Sequence, residues 1–117
     1  MILSIYVDGS GGSESGFGFF VKETGESFYK KEPNITNNQA EYMAIIAVLK
    51  KFGPTDEIII YSDSKNTVSQ LNHEYAINSP ELRVLAMEAW NLMGKYSNLK
   101  IRWIPRKENL AGKMLGS

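Results

Sequence analysis

Residues 36–50, TNNQAEYMAIIAVLK, and residues 57–63, EIIIYSD, decide the fold of this 117-residue chain. In the first stretch Thr36 is a helix N-cap and Gln39 is placed to reach back to it, so we predict a helix that begins at Asn37. Apolar residues lie on nearly every side of this helix, so more than a sheet must cover it. The second stretch is a continuous apolar run, typical of a central parallel strand. Together with a strand near the N-terminus, the two stretches predict a βαβ unit.

Three strand-like segments precede the helix. Residues 2–8 are rich in β-branched side chains, and the turn-forming cluster at residues 9–13 predicts that this strand ends at Asp8. Residues 17–22 and 27–31 are separated by a short connection, which suits an antiparallel hairpin. We therefore expect an antiparallel meander at the start of the chain.

The second half of the chain contains two further helical patterns and a fifth strand. Residues 64–71 predict a short helix. Residues 79–81, Ser-Pro-Glu, combine an N-cap, a first-position proline and an acid in the first turn of a longer helix, which we expect to run to about Tyr96. Residues 99–104 predict the fifth strand, and residues 110–115 predict a brief amphipathic helix.

The predicted order βββαβααβα indicates an α/β fold with a mixed five-stranded sheet, a central first strand and helices on both faces. The length leaves no room for a second domain, so we expect residues 1–117 to form a single domain. Ligands of such sheets bind beyond the carboxyl ends of the parallel strands. We therefore expect the functional residues at that edge.

The composition excludes several kinds of site. The chain has no cysteine and one histidine, which rules out disulfides, thiol nucleophiles and metal sites built from several histidines. Any metal site must then use oxygen ligands. Thirteen basic residues balance thirteen acidic ones, so the net charge neither favours nor excludes a nucleic-acid partner. The N-terminal apolar run is too short for a membrane span or a signal peptide, and we expect a cytoplasmic protein with no membrane partner.

Three acids from distant parts of the sequence are expected to meet. Asp8 and Asp63 end two strands that should be parallel neighbours, which places them about 5 Å apart. Glu41 is the one charged residue of an otherwise apolar helical stretch. Carboxylates this close repel one another by roughly 4 kcal/mol per pair, and a divalent cation removes that cost. Two Mg²⁺ or Mn²⁺ ions in such a cluster can activate a water and stabilise the leaving oxygen of a phosphodiester.

Each acid also has a purely structural interpretation when it is considered alone. Asp8 before Gly9 and Ser10 is an ordinary turn residue. Asp63 can cap the helix that follows it, and the helix dipole favours Glu41 near a helix N-terminus. The metal-binding hypothesis depends on the three acids occurring together.

At these segments the chain resembles the type 1 ribonuclease H family. The matching segments are YVDGS at residues 6–10, TNNQAE at residues 36–41 and YSDS at residues 61–64. The resemblance extends over nearly the whole chain in the order of strands and helices. It implies a ribonuclease H-like fold and an endonuclease that cuts the RNA strand of RNA/DNA hybrids with Mg²⁺ or Mn²⁺, leaving 5′-phosphate ends.

The resemblance also implies roles for individual residues. Asp8, Glu41 and Asp63 match three of the four acidic metal ligands of the family. The neighbouring segments match positions that contact nucleic acid, and backbone N–H groups at a capped helix start favour phosphate while short amides can reach a minor groove. Arg106 lies in the loop before the last helix and is expected to contact phosphate or product, unless it is only a solvated surface residue. The substrate-binding residues implied are Gly9, Ser10, Thr36, Asn37, Asn38, Gln39 and Arg106.

The chain departs from the family at the fourth acid. Simple counting through the segment PRKENLAGK, residues 105–113, places Lys113 where the family has an acid, and lysine cannot bind Mg²⁺. An alternative register places Asn109 or Glu108 there. We favour Asn109 as the fourth catalytic and metal-binding residue, because its carbonyl oxygen is acceptable to Mg²⁺.

The chain also lacks the basic, tryptophan-rich handle of larger family members, because residues 72–78 are too few to form it. Trp90 and Trp103 lie in core-like apolar patterns and are expected to pack inside the protein. We expect a monomer whose partner is an RNA/DNA hybrid. Two alternatives stay open: a catalytically weak nucleic-acid-binding module of the same fold, and a related nuclease that acts on other duplexes.

Overall fold

The computed structural model describes residues 1–115, with side chains up to Gly112. Within this range it contains a five-stranded sheet and four α-helices, joined late in the chain by a 3₁₀ turn at Arg106–Glu108. The strands are β1 (Ile2–Ser10), β2 (Gly16–Val21), β3 (Ser27–Lys31), β4 (Glu57–Ser62) and β5 (Leu99–Trp103). The helices are α1 (Asn37–Lys51), α2 (Lys65–Leu71), α3 (Pro80–Met93) and α4 (Leu110–Leu115).

The sheet has the strand order β3-β2-β1-β4-β5, with β1 in the centre. β1 pairs antiparallel with β2, and β2 pairs antiparallel with β3. On the other side β1 pairs parallel with β4, and β4 pairs parallel with β5. The predicted element order and mixed α/β sheet are confirmed, and the carboxyl ends of β1, β4 and β5 lie at one edge.

The end of β1 differs from the prediction. The strand does not stop at Asp8 but continues to Ser10, with Gly9 opposite Phe17 of β2. Gly9 serves close packing, since a Cβ atom built there would lie 2.5 Å from the backbone carbonyl carbon of Ala40. The chain turns instead near Gly12, whose φ of +103° lies in the left-handed region that favours glycine. Sequence analysis treated residues 9–13 as one turn signal, whereas Gly9 belongs to β1 and the turn lies near Gly12.

Helix α1 is the core helix of the protein. The predicted capping box is present, with the Gln39 N–H donating to the Thr36 hydroxyl and the Thr36 N–H donating to the Gln39 side chain. The helix packs between the sheet and α3, as its apolar circumference requires. Tyr42 and Ile45 are fully buried. This packing fixes the rotation of α1 and with it the direction of Glu41.

Two C-terminal boundaries also differ from the predictions. Helix α3 ends at Met93 rather than near Tyr96. The Tyr96 hydroxyl lies 2.8 Å from the carbonyl oxygens of both Leu49 and Phe52 at the end of α1. Tyr96 therefore connects the segment after α3 to the end of α1 instead of extending α3. Strand β5 ends at Trp103, one residue before the predicted end.

None of the helices in residues 1–115 has both the length and the apolar character needed to cross a membrane.

Candidate active site

Three carboxylates meet at the carboxyl edge of the parallel strands. Asp8 lies in β1, Asp63 follows β4, and Glu41 projects from the second turn of α1. One oxygen from each lies within 4.8 Å of the other two. Asp8 and Glu41 are buried, with 6% and 5% of their surfaces exposed, so water screens this cluster little. The three acids that sequence analysis singled out thus share one site, which we call the carboxylate cluster.

Glu41 is held by hydrogen bonds at both oxygens. The Gly9 N–H donates to its Oε1 at 3.2 Å, and the Ser62 hydroxyl donates to its Oε2 at 3.2 Å. The Ser64 N–H in turn donates to the Ser62 Oγ at 3.0 Å. Glu41 therefore links α1 to the ends of both β1 and β4.

Burial is the main cause of an unusual titration at Glu41. Desolvation, followed by repulsion from Asp8 and Asp63, raises the pKa of Glu41 to about 8, against the opposing hydrogen bonds from Ser62 and Gly9. Near neutral pH the cluster therefore lowers its own charge by keeping a proton on Glu41. The same carboxyl would ionise beside a cation, since an adjacent positive charge favours the charged form.

The donor set of the carboxylate cluster fits a hard divalent cation. Three carboxylates within reach of one ion suit Mg²⁺ or Mn²⁺, which prefer oxygen ligands. Desolvation and repulsion from Asp8 and Asp63 raise the pKa of Glu41, and a bound cation would relieve that repulsion. The residues present therefore match the metal chemistry that the sequence predicted.

Asn109 touches the cluster but not in the predicted way. Its side-chain nitrogen donates to Asp63 Oδ2 and to the Val7 carbonyl oxygen, each at 2.9 Å, and its Oδ1 accepts the Ala111 N–H at 3.0 Å. The backbone N–H of Ala111 fixes this orientation, because only the amide oxygen can accept it. A nitrogen donor thus faces Asp63, and the carbonyl oxygen caps α4. The geometry gives Asn109 the role of holding Asp63, while metal binding by its oxygen stays a prediction.

The other two residues considered for the fourth position give no further ligand. Glu108 is exposed in the 3₁₀ turn and does not belong to the group of converging acids among the described residues. The side chain of Lys113, which counting places at that position, lies outside the described side chains. The described part of the site therefore has three carboxylates and a buried amide.

An open cavity of about 290 Å³ adjoins the carboxylate cluster. Besides the three acids, it is lined by Gly9, Ser10, Asn37, Asn38, Ser64 and Arg106. Five of the seven residues predicted to bind substrate thus face the same cavity. The remaining two, Thr36 and Gln39, do not line it and are engaged in the capping box.

Asn37 connects the cavity to the loop after β1. The Gly11 N–H donates to its Oδ1, so the side-chain amide presents its nitrogen as the donor group. A Cβ atom at Gly11 would lie 2.5 Å from the backbone nitrogen of Asn37, which explains why a glycine is needed at this contact. The loop and the start of α1 therefore form one wall of the cavity.

Sequence analysis missed the role of Ser62 and misjudged Trp103. Ser62 occupies an inward position of β4 after Ile58 and Ile60, so a serine where the apolar alternation continues was the available signal. Trp103 is 47% exposed rather than buried, and its indole N–H donates to the Asp63 carbonyl oxygen at 3.1 Å. It is the last residue of β5, which lies at the edge of the sheet formed by residues 1–115 and pairs only with β4.

The chain is similar in sequence to a known protein family and to individual known proteins. Residues 2–112 match the model of the RNase H family. The chain is 36% identical over 98 residues to a ribonuclease HI of Halobacterium salinarum, covering 81% of this chain and 47% of that protein. It is 28% identical over 120 residues to a bifunctional protein of Mycobacterium tuberculosis, covering 92% of this chain and 33% of that protein. The chain thus spans a third to a half of the length of these relatives.

Solved structures agree over nearly the whole chain. RNase H1 from Halobacterium salinarum superimposes with a TM-score of 0.86 at 28% identity, covering 98% of this chain and 94% of that one. LC11-RNase H1, solved in complex with an RNA/DNA hybrid, gives a TM-score of 0.84 at 25% identity, covering 97% and 92%. With the sheet order, the carboxylate cluster and the match over residues 2–112, these findings show that the chain belongs to the RNase H family.

Proposed function

We propose that this protein is a metal-dependent endoribonuclease that hydrolyses the RNA strand of RNA/DNA hybrids. The observation that carries the proposal is the carboxylate cluster, in which oxygens of Asp8, Glu41 and Asp63 lie within 4.8 Å of one another beside an open cavity. Membership of the RNase H family and the likeness to a hybrid-bound structure support the choice of substrate.

Asp8, Glu41 and Asp63 would hold two Mg²⁺ or Mn²⁺ ions in this proposal. When bound, such ions supply an activated water and stabilise charge on the leaving 3′ oxygen. Glu41 would ionise beside bound ions, since a neighbouring cation favours the charged form against the desolvation and the repulsion that raise its pKa. Ser62 and Gly9 keep both Glu41 oxygens in place throughout, so the cluster needs little rearrangement.

The walls of the cavity suit a nucleic-acid duplex. Asn37 and Asn38 place side-chain amides at the start of α1, where they can reach base edges and 2′-hydroxyl groups in a shallow minor groove. Ser10 offers a hydroxyl on the same side, and Gly9 lets the backbone approach closely. Arg106 supplies a permanent positive charge for a phosphate. Thr36 supports this wall by capping α1.

The environment of Asn109 favours one alternative, a nucleic-acid-binding module with weak catalysis. Its amide oxygen already caps α4, so the cluster offers three carboxylates where the family pattern has four. Such a protein would bind the hybrid without turning it over at any concentration of metal ion. A monomeric state, a single domain over residues 1–117 and a cytoplasmic location are further proposals, and each is open to direct measurement.

The test is cleavage of an RNA/DNA hybrid labelled on either strand, with Mg²⁺ and with Mn²⁺, against duplex RNA, duplex DNA and single-stranded RNA. We expect cuts in the RNA strand of the hybrid, with 5′-phosphate ends, that require metal ions. Asp63→Asn should abolish them, while the surface variant Glu14→Gln, whose side chain is 86% exposed in an ion pair with Lys31, should not. Equal cleavage of duplex RNA and hybrid would contradict the proposed substrate.

A further inference from the structure

Trp103 is an exposed aromatic ring fixed beside the carboxylate cluster. Nearly half of its surface is exposed, and the proposed chemistry gives it no role. The other tryptophan, Trp90, is half-buried, donates to the Leu71 carbonyl oxygen and stacks on His73 at 4.8 Å between ring centroids. The two tryptophans therefore differ in kind, and packing explains only Trp90.

The exposed ring of Trp103 has a defined orientation. Its indole N–H donates to the Asp63 carbonyl oxygen at 3.1 Å, and Asp63 carries one of the three clustered carboxylates. The backbone beneath it is fixed by the pairing of Ser62 with Trp103 and by the bond from the Ile104 N–H to the Ser62 carbonyl oxygen. A ring held in this way loses little conformational entropy when a flat partner stacks on it.

Two exposed cations lie close to Asp63 and Trp103 in the chain and can meet an anionic partner. The ion pairs formed among the described side chains all involve lysines of β3 or the end of α1, on another side of the molecule. Lys65 follows Asp63 by two residues, and Arg106 follows Trp103 by three. Both are exposed, and neither belongs to those ion pairs. An exposed aromatic ring with exposed cations near it in the chain is a combination by which proteins bind single-stranded nucleic acid.

We propose that Trp103 is a stacking platform for an unpaired nucleotide of the RNA strand, next to the step that is cut. Bases inside a duplex are already stacked on one another, so an exposed ring can take only a base that has left the duplex. The Trp103 indole is hydrogen-bonded to the backbone of Asp63. A nucleotide stacked on the Trp103 ring therefore belongs to the strand that the carboxylate cluster engages. The inference rests on the proposed function, and it adds a preference for hybrids whose RNA continues as a single strand.

The test compares affinity for a blunt hybrid with affinity for the same hybrid carrying a short unpaired RNA tail, at either end. Asp8→Asn serves as the background, so that no strand is cut during the measurement. We expect the tail at one end to strengthen binding by about fivefold or more, as one stacked base commonly does. The ratio should fall to about one in Trp103→Ala and should be retained in large part in Trp103→Phe, which keeps an aromatic face but has a smaller ring and no N–H.

Two further measurements keep the outcome clear. Tyr29→Ala removes a ring of nearly equal exposure, 46%, from the opposite edge strand β3 and should leave the ratio unchanged. In a Trp90→Phe background, the fluorescence of Trp103 should be quenched by the tailed hybrid more than by the blunt one, a readout that needs no further substitution at Trp103. Equal affinity for both hybrids, or a gain only from a DNA tail, would overturn the inference while leaving hybrid cleavage intact. Failure to bind or cut any hybrid would instead overturn the proposed function.

Discussion

The two sides of the candidate site are built on opposite principles. On one side, Asp8, Glu41 and Asp63 bring three acidic groups together in a largely buried place, where desolvation and mutual repulsion disfavour their ionised forms. On the other side, Asn109 is equally buried, yet its amide nitrogen and oxygen all have protein partners. Groups kept at a cost to the fold point to function, whereas fully satisfied groups point to structure. Substitutions on the two sides should therefore move stability in opposite directions.

The largest effect is expected from Asp8→Asn. Loss of a partner that merely orients a metal ligand costs about 10–100-fold in activity, so loss of a ligand itself should lower kcat for hybrid cleavage by at least about 100-fold. Thermal unfolding of the same variant without metal ions should show an equal or higher Tm, because the repulsion between the Asp8 and Asp63 carboxylates is gone. Measurable cleavage near the rate of the unsubstituted protein would remove Asp8 from the proposed mechanism.

Glu41→Gln sharpens the same side through its pH dependence. Folding raises the pKa of Glu41 to about 8, so the folded state holds a proton that the unfolded state has released. Without metal ions, the free energy of unfolding should thus be greatest below the ordinary pKa of glutamate and fall as pH rises through about 8. The loss should be on the order of 2–4 kcal/mol, and Glu41→Gln should remove most of it.

Urea unfolding at a series of pH values, with and without Mg²⁺, measures this effect. Mg²⁺ should flatten the pH dependence of the unsubstituted protein, because binding favours the ionised carboxyl. Glu32→Gln is a suitable control, since that residue lies on the surface near Lys30. An unchanged slope in Glu41→Gln would show that another group is responsible.

Asn109→Ala tests the opposite side. Removing the amide leaves the Val7 carbonyl oxygen and the Ala111 N–H without their partner in a buried place, so the free energy of unfolding should fall by about 2–3 kcal/mol. Activity should fall roughly tenfold through the misplacement of Asp63, which is the cost of losing an orienting residue. Glu108→Ala, an exposed neighbour, should change neither quantity appreciably.

The ratio of the two losses distinguishes the roles of Asn109. A positioning residue lowers stability and kcat together, and excess Mg²⁺ does not restore the rate. If Asn109→Ala instead kept its stability and regained its rate at high Mg²⁺, the amide oxygen would be acting as a metal ligand, as sequence analysis favoured. Titration with Mg²⁺ combined with unfolding of the same preparation therefore decides between them.

The smallest effect is expected from Thr36→Ala. This change removes the hydroxyl that accepts the Gln39 N–H, and loss of such a cap costs about 1 kcal/mol. The carboxylate cluster is held by other contacts, so kcat should change little. A rise in KM would indicate that the start of α1 also contacts the substrate, and Thr24→Ala, whose hydroxyl accepts a bond in an exposed turn, provides the comparison.

Much of the fold could be predicted because its signals are local. The capping box at Thr36, the apolar run of β4 and the proline at the start of α3 each report on a few neighbouring residues, and all were confirmed. The predicted end of β1 was wrong because Gly9 packs against Ala40, a residue far along the chain. Short-range patterns do not contain that contact.

The site shows the same division between local and distant information. The three acids were recognisable because each lies at the end of a strand or on an apolar helix, where a charge stands out. The contacts of Asn109 depend on how a loop near the C-terminus meets β1, a hydrogen bond that joins residues 102 positions apart. Trp103 looked like a core residue since its strand is apolar in part, and only the strand order shows that β5 is an edge.

The contact at Gly9 has one more consequence, for how the protein can vary. The residue brings its backbone against Ala40 and donates its N–H to Glu41, so the spacing between strand and helix sets the width of the carboxylate cluster. A single added methyl group there would act as a spacer between two main chains and would widen the carboxylate cluster without removing any of its acids. The lack of a side chain at Gly9 therefore sets how closely β1 and α1 approach each other beside the carboxylate cluster.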